Sequence, residues 1–369
     1  MSSDCERIGA MAHRFIVAGG GTAGHIEPAL AVADAIRVKD STAICEFLGT
    51  DGGLEKLLVS QRGYRLRTIP KVVMPRKLNL QVLTFPLRFI ASFFRTLGEI
   101  RGADVVIGFG GYVSTPAYLA AYVKRIPIVV HEANAKPGWA NRLGRKLASI
   151  TAVNFADVNK VWPESIVTGM PIRSSISNVR TIVDKEKFRT LHAQSWGFDP
   201  RRPIVAVFGG SQGSSHINKV ISVYLEKFLD KDSTIQILHA VGINNSLPQA
   251  RTNYFPMSYF HDMAAIYGSA DLLVTRSGAV TCSELSTLGK YAILVPLPHG
   301  NGEQITNAQS LVDNGAAMMI DNTHFTAEWL NAHLATAIEN SQKFSPRQDS
   351  RNLHAAETLA ELAVGLVKS

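Results

Sequence analysis

Ala18-Gly19-Gly20-Gly21-Thr22-Ala23-Gly24-His25 and Phe208-Gly209-Gly210-Ser211-Gln212-Gly213 stand about half a chain apart, each between a strand-like run and a helix-like run. A strand, a tight glycine turn and a helix together aim unpaired backbone N–H groups and a positive helix end at an anion. One such unit suggests a bound cofactor; two suggest two phosphorylated reactants. The chain therefore reads as two nucleotide-binding-type halves.

Working outward from the first loop, residues 14–18 form a short apolar strand, and 27–38 show helical periodicity with Pro28 in the first turn. Strand-like runs at 43–49, 65–69, 104–108, 127–131, 150–153 and 165–168 alternate with helix-like runs at 54–61, 116–124 and 139–147. A polar, irregular stretch ends at Asp199-Pro200-Arg201-Arg202-Pro203, and strands resume at 204–208, 235–240, 272–275 and 292–295. Residues 355–367 read as a last helix. This alternation predicts an α/β chain of doubly wound parallel sheets with helices on both faces.

With 369 residues the chain exceeds one ordinary core and fits two domains. A hydrophobic share of 46% and a charged share of 18% suit a globular enzyme. The formal charge of +8 implies anionic company, either phosphorylated substrates or an acidic membrane surface. Nucleic acid is disfavoured, because no basic block interleaved with aromatics occurs. Cys5, Cys45 and Cys282 lack disulfide-framework or zinc-site spacing, which points to a reducing cytoplasm. The first residues carry acid and no apolar core, so no secretory signal is expected, and 1–12 are expected to be loosely ordered. No run approaches the roughly 20 apolar residues of a membrane span, so any membrane contact should be peripheral.

Several segments could carry chemistry. Gly19-x-Gly21-x-x-Gly24 fits a dinucleotide fingerprint by its glycines, and Glu46 falls where a ribose-binding acid would stand, which leaves a flavin or nicotinamide oxidoreductase open. His25 at the helix opening is a candidate general base or a helix-terminal histidine. Gly108 to Pro116, with Gly110, Gly111 and Tyr112, is a second anion-cradling turn or an ordinary βα turn. His131-Glu132-Ala133-Asn134 follows a strand at the edge where open α/β sheets bind ligands. Arg276 to Glu284 offers small residues for close backbone approach, and Glu284 could accept both ribose hydroxyls or be a solvated charge. Gln304 and Asn307 could bind sugar hydroxyls or cap a helix. Between residues 71 and 101, Leu78, Leu80, Leu83 and Phe85 among cations predict an interfacial membrane contact, while Phe89, Phe93 and Leu97 recur at core spacing.

Taken in order, these motifs resemble the MurG family, bacterial transferases that add N-acetylglucosamine to the undecaprenyl-pyrophosphoryl-muramyl-pentapeptide carrier (lipid I) to form lipid II. The resemblance covers nearly the whole chain from Arg14 and rests on residues 20–28, 108–116, 131–134, 168–173, 209–213, 276–284 and 304–308. It implies GT-B architecture, two Rossmann-like domains facing across a cleft. The expected layout is an extension at 1–12, an acceptor and membrane domain at 13–172, a linker region at 173–202, a UDP-sugar domain at 203–345, and a helix at 346–369 packing back on the first domain. By the same resemblance Thr22, Ala23, Gly24, Asn134, Arg173, Ser211, Phe260, Ala279, Val280, Thr281, Cys282, Ser283, Glu284 and Gln304 contact UDP-N-acetylglucosamine, with Glu284 on the ribose. The loops of Gly20, Gly21, Gly110, Gly111 and Tyr112 face the acceptor pyrophosphate. Ala23, Met170 and Glu303 depart from the family pattern, and Ala23 in place of glycine implies a negative φ there. The implied chemistry is an inverting displacement with His25 as base and the Ser211 loop steadying the leaving pyrophosphate, without a metal or cofactor. The implied setting is the cytoplasmic face of the cell membrane, against an anionic surface and among cell-wall synthesis and division proteins.

Overall fold

The computed structural model describes residues 12–52, 54–72, 80–229, 234–345 and 350–367. It divides into two compact units, one holding the chain to residue 133, 137–171 and the chain from 354, the other holding 134–136 and 172–353. The expected extension at 1–12 falls, but for Ala12, outside the described residues.

The first unit runs β1 (Arg14–Ala18), α1 (Ala23–Lys39), β2 (Ile44–Gly49), α2 (Leu54–Gln61), β3 (Arg65–Thr68), α3 (Leu80–Glu99), β4 (Val105–Gly108), α4 (Ser114–Lys124), β5 (Ile128–Glu132), α5 (Trp139–Arg145), β6 (Ile150–Val153) and β7 (Ile166–Val167). Its parallel sheet has the order β3-β2-β1-β4-β5-β6-β7. The central strands are apolar on both faces because helices cover both. Phe15 and Val17 of β1 pack with Ile26, Leu30 and Phe47 on one side, whereas Ile16 and Ala18 pack with Val106, Tyr118 and Val130 on the other. That division follows from the period of two along a strand.

In the second unit, α6 (Ser174–Ser177) and α7 (Lys185–Ser195) precede β8 (Ile204–Phe208), α8 (Ser215–Tyr224), β9 (Gln236–Ala240), β10 (Tyr254–Met257), α9 (Met263–Ser269), β11 (Leu272–Thr275), α10 (Ala279–Leu288), β12 (Ala292–Leu294), α11 (Glu303–Asp313), β13 (Ala317–Met319) and α12 (Ala327–Lys343). The sheet order is β10-β9-β8-β11-β12-β13. A last helix, α13 (Arg351–Val364), puts Leu359, Ala360 and Ala363 into the core of the first unit.

Both sheets reverse winding direction beside their first strand, the place where open α/β sheets bind ligands. In the first sheet Ala18 is in register with Gly108, so the two glycine turns leave adjacent strand ends. In the second, Phe208 is in register with Thr275, which sets the loop at 209–214 beside that at 276–278.

The structure differs from the sequence reading in several places. Helix α1 begins at Ala23, four residues before the periodic run, because Gly24 and His25 carry no apolar signal. Pro28 therefore sits beyond the first turn. The stretch expected as a linker carries α7, capped by Asp184, which accepts from the Lys187 N–H at 2.8 Å. Arg189 of α7 is paired with Asp271 at 2.7 Å. The edge strands β10 and β13 gave no pattern, one being interrupted by Pro256, the other only three residues long. Of the expected membrane contacts, Leu78 lies outside the described residues; Leu80 and Leu83 belong to α3. Phe85 is half-buried and stacks on Phe89 with ring centroids 6.0 Å apart. Farther along α3, Leu87, Ile90 and Phe94 are exposed, while Ser92 and Thr96 are buried. Among the described residues no helix is long and apolar enough to cross a membrane.

Candidate functional site

At the switch point of the first unit, Gly21 (φ +93°) turns the chain from β1 into α1, whose N-cap Thr22 makes no side-chain cap. The His25 N–H bonds the Thr22 carbonyl oxygen at 3.1 Å, and those of Ala23 and Gly24 have no side-chain cap and can face an anion. Ala23 opens the helix, so its φ is negative, in keeping with a residue bearing a Cβ. Opposite, Gly110 (φ +92°) and Gly111 (φ +81°) bring their backbone against the first loop. A Cβ on Gly111 would lie 2.5 Å from the Gly20 carbonyl oxygen, so only glycine permits this approach.

The His25 ring occupies the space those glycines leave. A Cβ on Gly110 would stand 3.5 Å from its Nε2, and one on Gly111 would stand 3.5 Å from its Nδ1. Nδ1 is 3.2 Å from the Thr22 hydroxyl. Burial lowers the imidazole pKa, and a backbone hydrogen bond with Gly20 offsets this only in part. His25 is therefore neutral near pH 7, the state a proton acceptor requires.

A carboxylate absent from the sequence reading lies beneath both glycine turns. Glu55 of α2 is fully buried; its Oε2 accepts from the Gly21 N–H at 3.4 Å, and its Oε1 accepts from the Tyr112 hydroxyl at 3.0 Å. The N–H of Gly21 is consequently turned toward protein. Its position on an ordinary-looking helix offered no signal.

Other candidates in this unit hold the framework. His131 is buried with Nε2 2.9 Å from the Gly169 carbonyl oxygen, and burial lowers its pKa to about 4. Glu132 Oε2 accepts from the Gly138 N–H at 2.9 Å and from Asn141 Nδ2 at 3.1 Å. Glu46, the acid on which a dinucleotide site would depend, accepts from Arg14 Nε at 2.7 Å and from Arg67 Nε and Nη2 at 2.8 Å. Burial pushes its carboxyl up, but the two guanidinium groups outweigh this and hold it below the usual range. Its oxygens are occupied by arginine rather than offered to a ribose.

In the second unit, Gly210 (φ +90°) and Gly213 (φ +74°) shape the turn around Ser211. A Cβ on Gly213 would fall 1.9 Å from the Val241 carbonyl oxygen. Ser214 caps α8, and its hydroxyl accepts from Arg276 Nη2 at 2.7 Å. Nη1 of the same guanidinium donates to the carbonyl oxygens of Val295 and Pro296, at 2.9 and 3.0 Å. Arg276 thereby ties three loops of the switch point together. Helix α10 begins after Gly278 with no side-chain cap, so the first-turn N–H groups around Ala279, Val280 and Thr281 have no side-chain acceptor.

Glu284, one turn farther, is buried; it accepts from the Tyr267 hydroxyl at 2.7 Å and stands 3.7 Å from Arg173 Nη2. Ser283 and Cys282 are buried beside it, and burial raises the Cys282 thiol to about 12, which leaves it unreactive. Phe260 is buried edge-on to Phe208 at 5.9 Å. Gln304 Oε1 accepts from the Leu297 N–H at 2.9 Å, and Glu303 Oε2 accepts from the Asn301 N–H at 3.1 Å, so both organise the loop before α11. Asn134 groups with this unit, its Oδ1 accepting from Asn307 Nδ2 at 3.2 Å, while Asn307 Oδ1 accepts from the Ala135 N–H at 2.9 Å. Thus Asn134, Arg173, Glu284 and the 209–214 and 276–284 loops belong to one unit; Thr22, Ala23, Gly24, His25, Gly110, Gly111 and Tyr112 belong to the other.

Comparison with known proteins matches one family domain to each half of the chain. Residues 15–153 match the glycosyltransferase family 28 N-terminal domain, and 204–363 match the family 28 C-terminal domain. The UDP-N-acetylglucosamine–N-acetylmuramyl-(pentapeptide) pyrophosphoryl-undecaprenol N-acetylglucosamine transferase of Corynebacterium diphtheriae is 43% identical over 362 residues, covering 96% of this chain and 98% of its own. Among solved structures, Acinetobacter baumannii MurG superposes with a TM-score of 0.66 at 24% identity, over 96% of this chain and 100% of that one. A UDP-GlcNAc 2-epimerase from Neisseria meningitidis superposes equally well, with a TM-score of 0.68 at 16% identity over 95% and 100%. Shape alone therefore gives the fold, and the sequence relatives give the family.

Proposed function

The chain belongs to glycosyltransferase family 28, in its MurG branch, and from that premise we propose that it transfers N-acetylglucosamine from UDP-N-acetylglucosamine to lipid I, yielding lipid II for peptidoglycan. The close relative matched over nearly its full length carries this reading of the reaction. The arginine-saturated Glu46 removes the support for a dinucleotide oxidoreductase.

In the proposed chemistry the second unit holds the donor. The α10 N-terminus and the Ser211 loop take the diphosphate, Glu284 takes the ribose hydroxyls, and Asn134, Arg173 and Gln304 surround the sugar nucleotide. Backbone N–H groups and helix ends stabilise the negative charge that grows on UDP as it leaves. The first unit holds the acceptor at its two glycine turns. The C4 hydroxyl of the muramyl sugar gives its proton to neutral His25 while its oxygen attacks the anomeric carbon. The bond from that carbon to the UDP oxygen breaks, and the configuration inverts from α to β.

The enzyme works at the cytoplasmic face of the cell membrane. Leu87, Ile90 and Phe94 are exposed on α3, and the net charge is +8, a combination that suits an anionic lipid surface. The deciding experiment is transfer of labelled N-acetylglucosamine from UDP to a lipid I analogue, with UDP-glucose as control. Transfer should require the N-acetylglucosamine donor and fall on the order of 10²- to 10⁴-fold in His25→Ala. No transfer from either donor sinks the reaction, and near-normal turnover in His25→Ala sinks the base.

A further inference from the structure

We propose that Glu55 is a positioning residue of the acceptor half, setting Tyr112 and the first glycine loop in a single geometry. This rests on the reading that the glycine turns of the first unit take the acceptor. Two independent features of the structure support it.

The first is the set of bonds made by the carboxylate. Oε1 accepts from the Thr50 N–H at 3.1 Å, the Thr50 hydroxyl at 3.0 Å and the Tyr112 hydroxyl at 3.0 Å, while Oε2 accepts from the Gly21 N–H at 3.4 Å. Three chain segments far apart in sequence, the turns after β1, β2 and β4, thus meet on one fully buried side chain. Burial pushes the carboxyl up, yet these hydrogen bonds outweigh it and hold it below the usual carboxylate range. Glu55 is ionised at neutral pH without an ion-pair partner among the described residues, held by hydrogen bonds alone.

The second is the space cleared for it. A Cβ on Gly49 would lie 2.6 Å from Glu55 Cγ, and one on Gly20 would lie 3.2 Å from Oε1. Glycines at both places admit the carboxylate directly under the loops. A packing role alone would be served by an apolar side chain, which needs no donors around it. Here the negative charge fixes the direction of the Tyr112 O–H and turns the Gly21 N–H inward. An acceptor diphosphate is left with the α1 N-terminus and the Gly110–Gly111 side.

Glu55→Gln keeps the shape but replaces one acceptor oxygen with a donor, so at least one of the four bonds is lost. The KM for a lipid I analogue should rise about tenfold or more, with the UDP-N-acetylglucosamine KM and UDP affinity within about twofold. Thr50→Val should shift the acceptor KM in the same direction by less. Glu55→Gln with Tyr112→Phe should be less than additive, because both side chains act through the same hydrogen-bonded cluster. Gly111→Ala serves as the control for the loops. If it raises the acceptor KM while folded Glu55→Gln does not, the proposal falls and the loop reading stands. If neither changes it, both fall. Equal loss of donor and acceptor binding in Glu55→Gln would also overturn the positioning role. Should Glu55→Gln not fold, an unchanged acceptor KM in Thr50→Val overturns it.

Discussion

At the scale of single residues, the proposed proton acceptor is defined by its surroundings more than by its identity. His25 is crowded by the first glycine loop and by Gly110 and Gly111, and burial lowers its pKa from the ordinary 6.5. A base is active in its neutral form, so activity is retained above the lowered pKa and lost as pH falls through it. The kcat/KM profile should be flat from pH 8 to the ordinary histidine pKa and descend only below it, and His25→Gln should abolish that acid limb. A limb centred above the ordinary value would contradict the assignment. Glu284 makes a parallel case in the second unit: Glu284→Gln should raise the UDP-N-acetylglucosamine KM on the order of tenfold and leave the acceptor KM unchanged, as kinetics with each substrate varied would show. Glycine loops and the helix-opening histidine were legible in sequence because their residue types announce special backbone geometry. Glu55 and Arg276 were not, since a buried carboxylate in α2 and a guanidinium stapling three loops acquire meaning only from contacts across the sheet.

Among the elements, those with strong apolar periods could be read and those defined by tertiary packing could not. The runs that became β4, β8 and β11 are buried at every position and β1 at all but Arg14, which makes them visible. By contrast β13 has three residues, and α7 has only one fully buried position, Ala193. Helix α3 carries information of both kinds. Its Ser92 and Thr96 side is buried, with Phe93 and Leu97 packed against the core, while Leu87 and Phe94 are 72% and 65% exposed. The sequence reading placed a membrane contact on residues up to Phe85, and the exposed apolar side chains Leu87, Ile90 and Phe94 lie farther along the helix. Leu87→Glu with Phe94→Glu should lower sedimentation with anionic vesicles severalfold while changing stability by less than about 1 kcal/mol, because both side chains face solvent. Unchanged sedimentation of the folded double variant would detach this face from the membrane.

For the whole molecule, two doubly wound sheets were foreseeable from two strand–glycine–helix signals. The grouping of 134–136 with the second unit was not, because it depends on packing rather than local pattern, and that of the chain from 354 with the first unit was expected from the family resemblance alone. Each unit also buries a histidine outside the proposed chemistry. His131 in the first and His239 in the second are both lowered by burial to about 4, and His239 lies between Tyr254 and Asn218. In the unfolded chain these imidazoles take up protons near pH 6.5, whereas in the folded protein they resist until about pH 4. The unfolded state thus binds more protons across that window, and stability must fall as pH drops through it. The loss amounts to on the order of 3 kcal/mol for each histidine. Urea unfolding at pH 7, 5.5 and 4.5 should show this decline. His239→Asn should be less stable at pH 7 yet lose less on acidification than the unmodified protein, and an equal loss in both would assign the acid sensitivity to carboxylates instead.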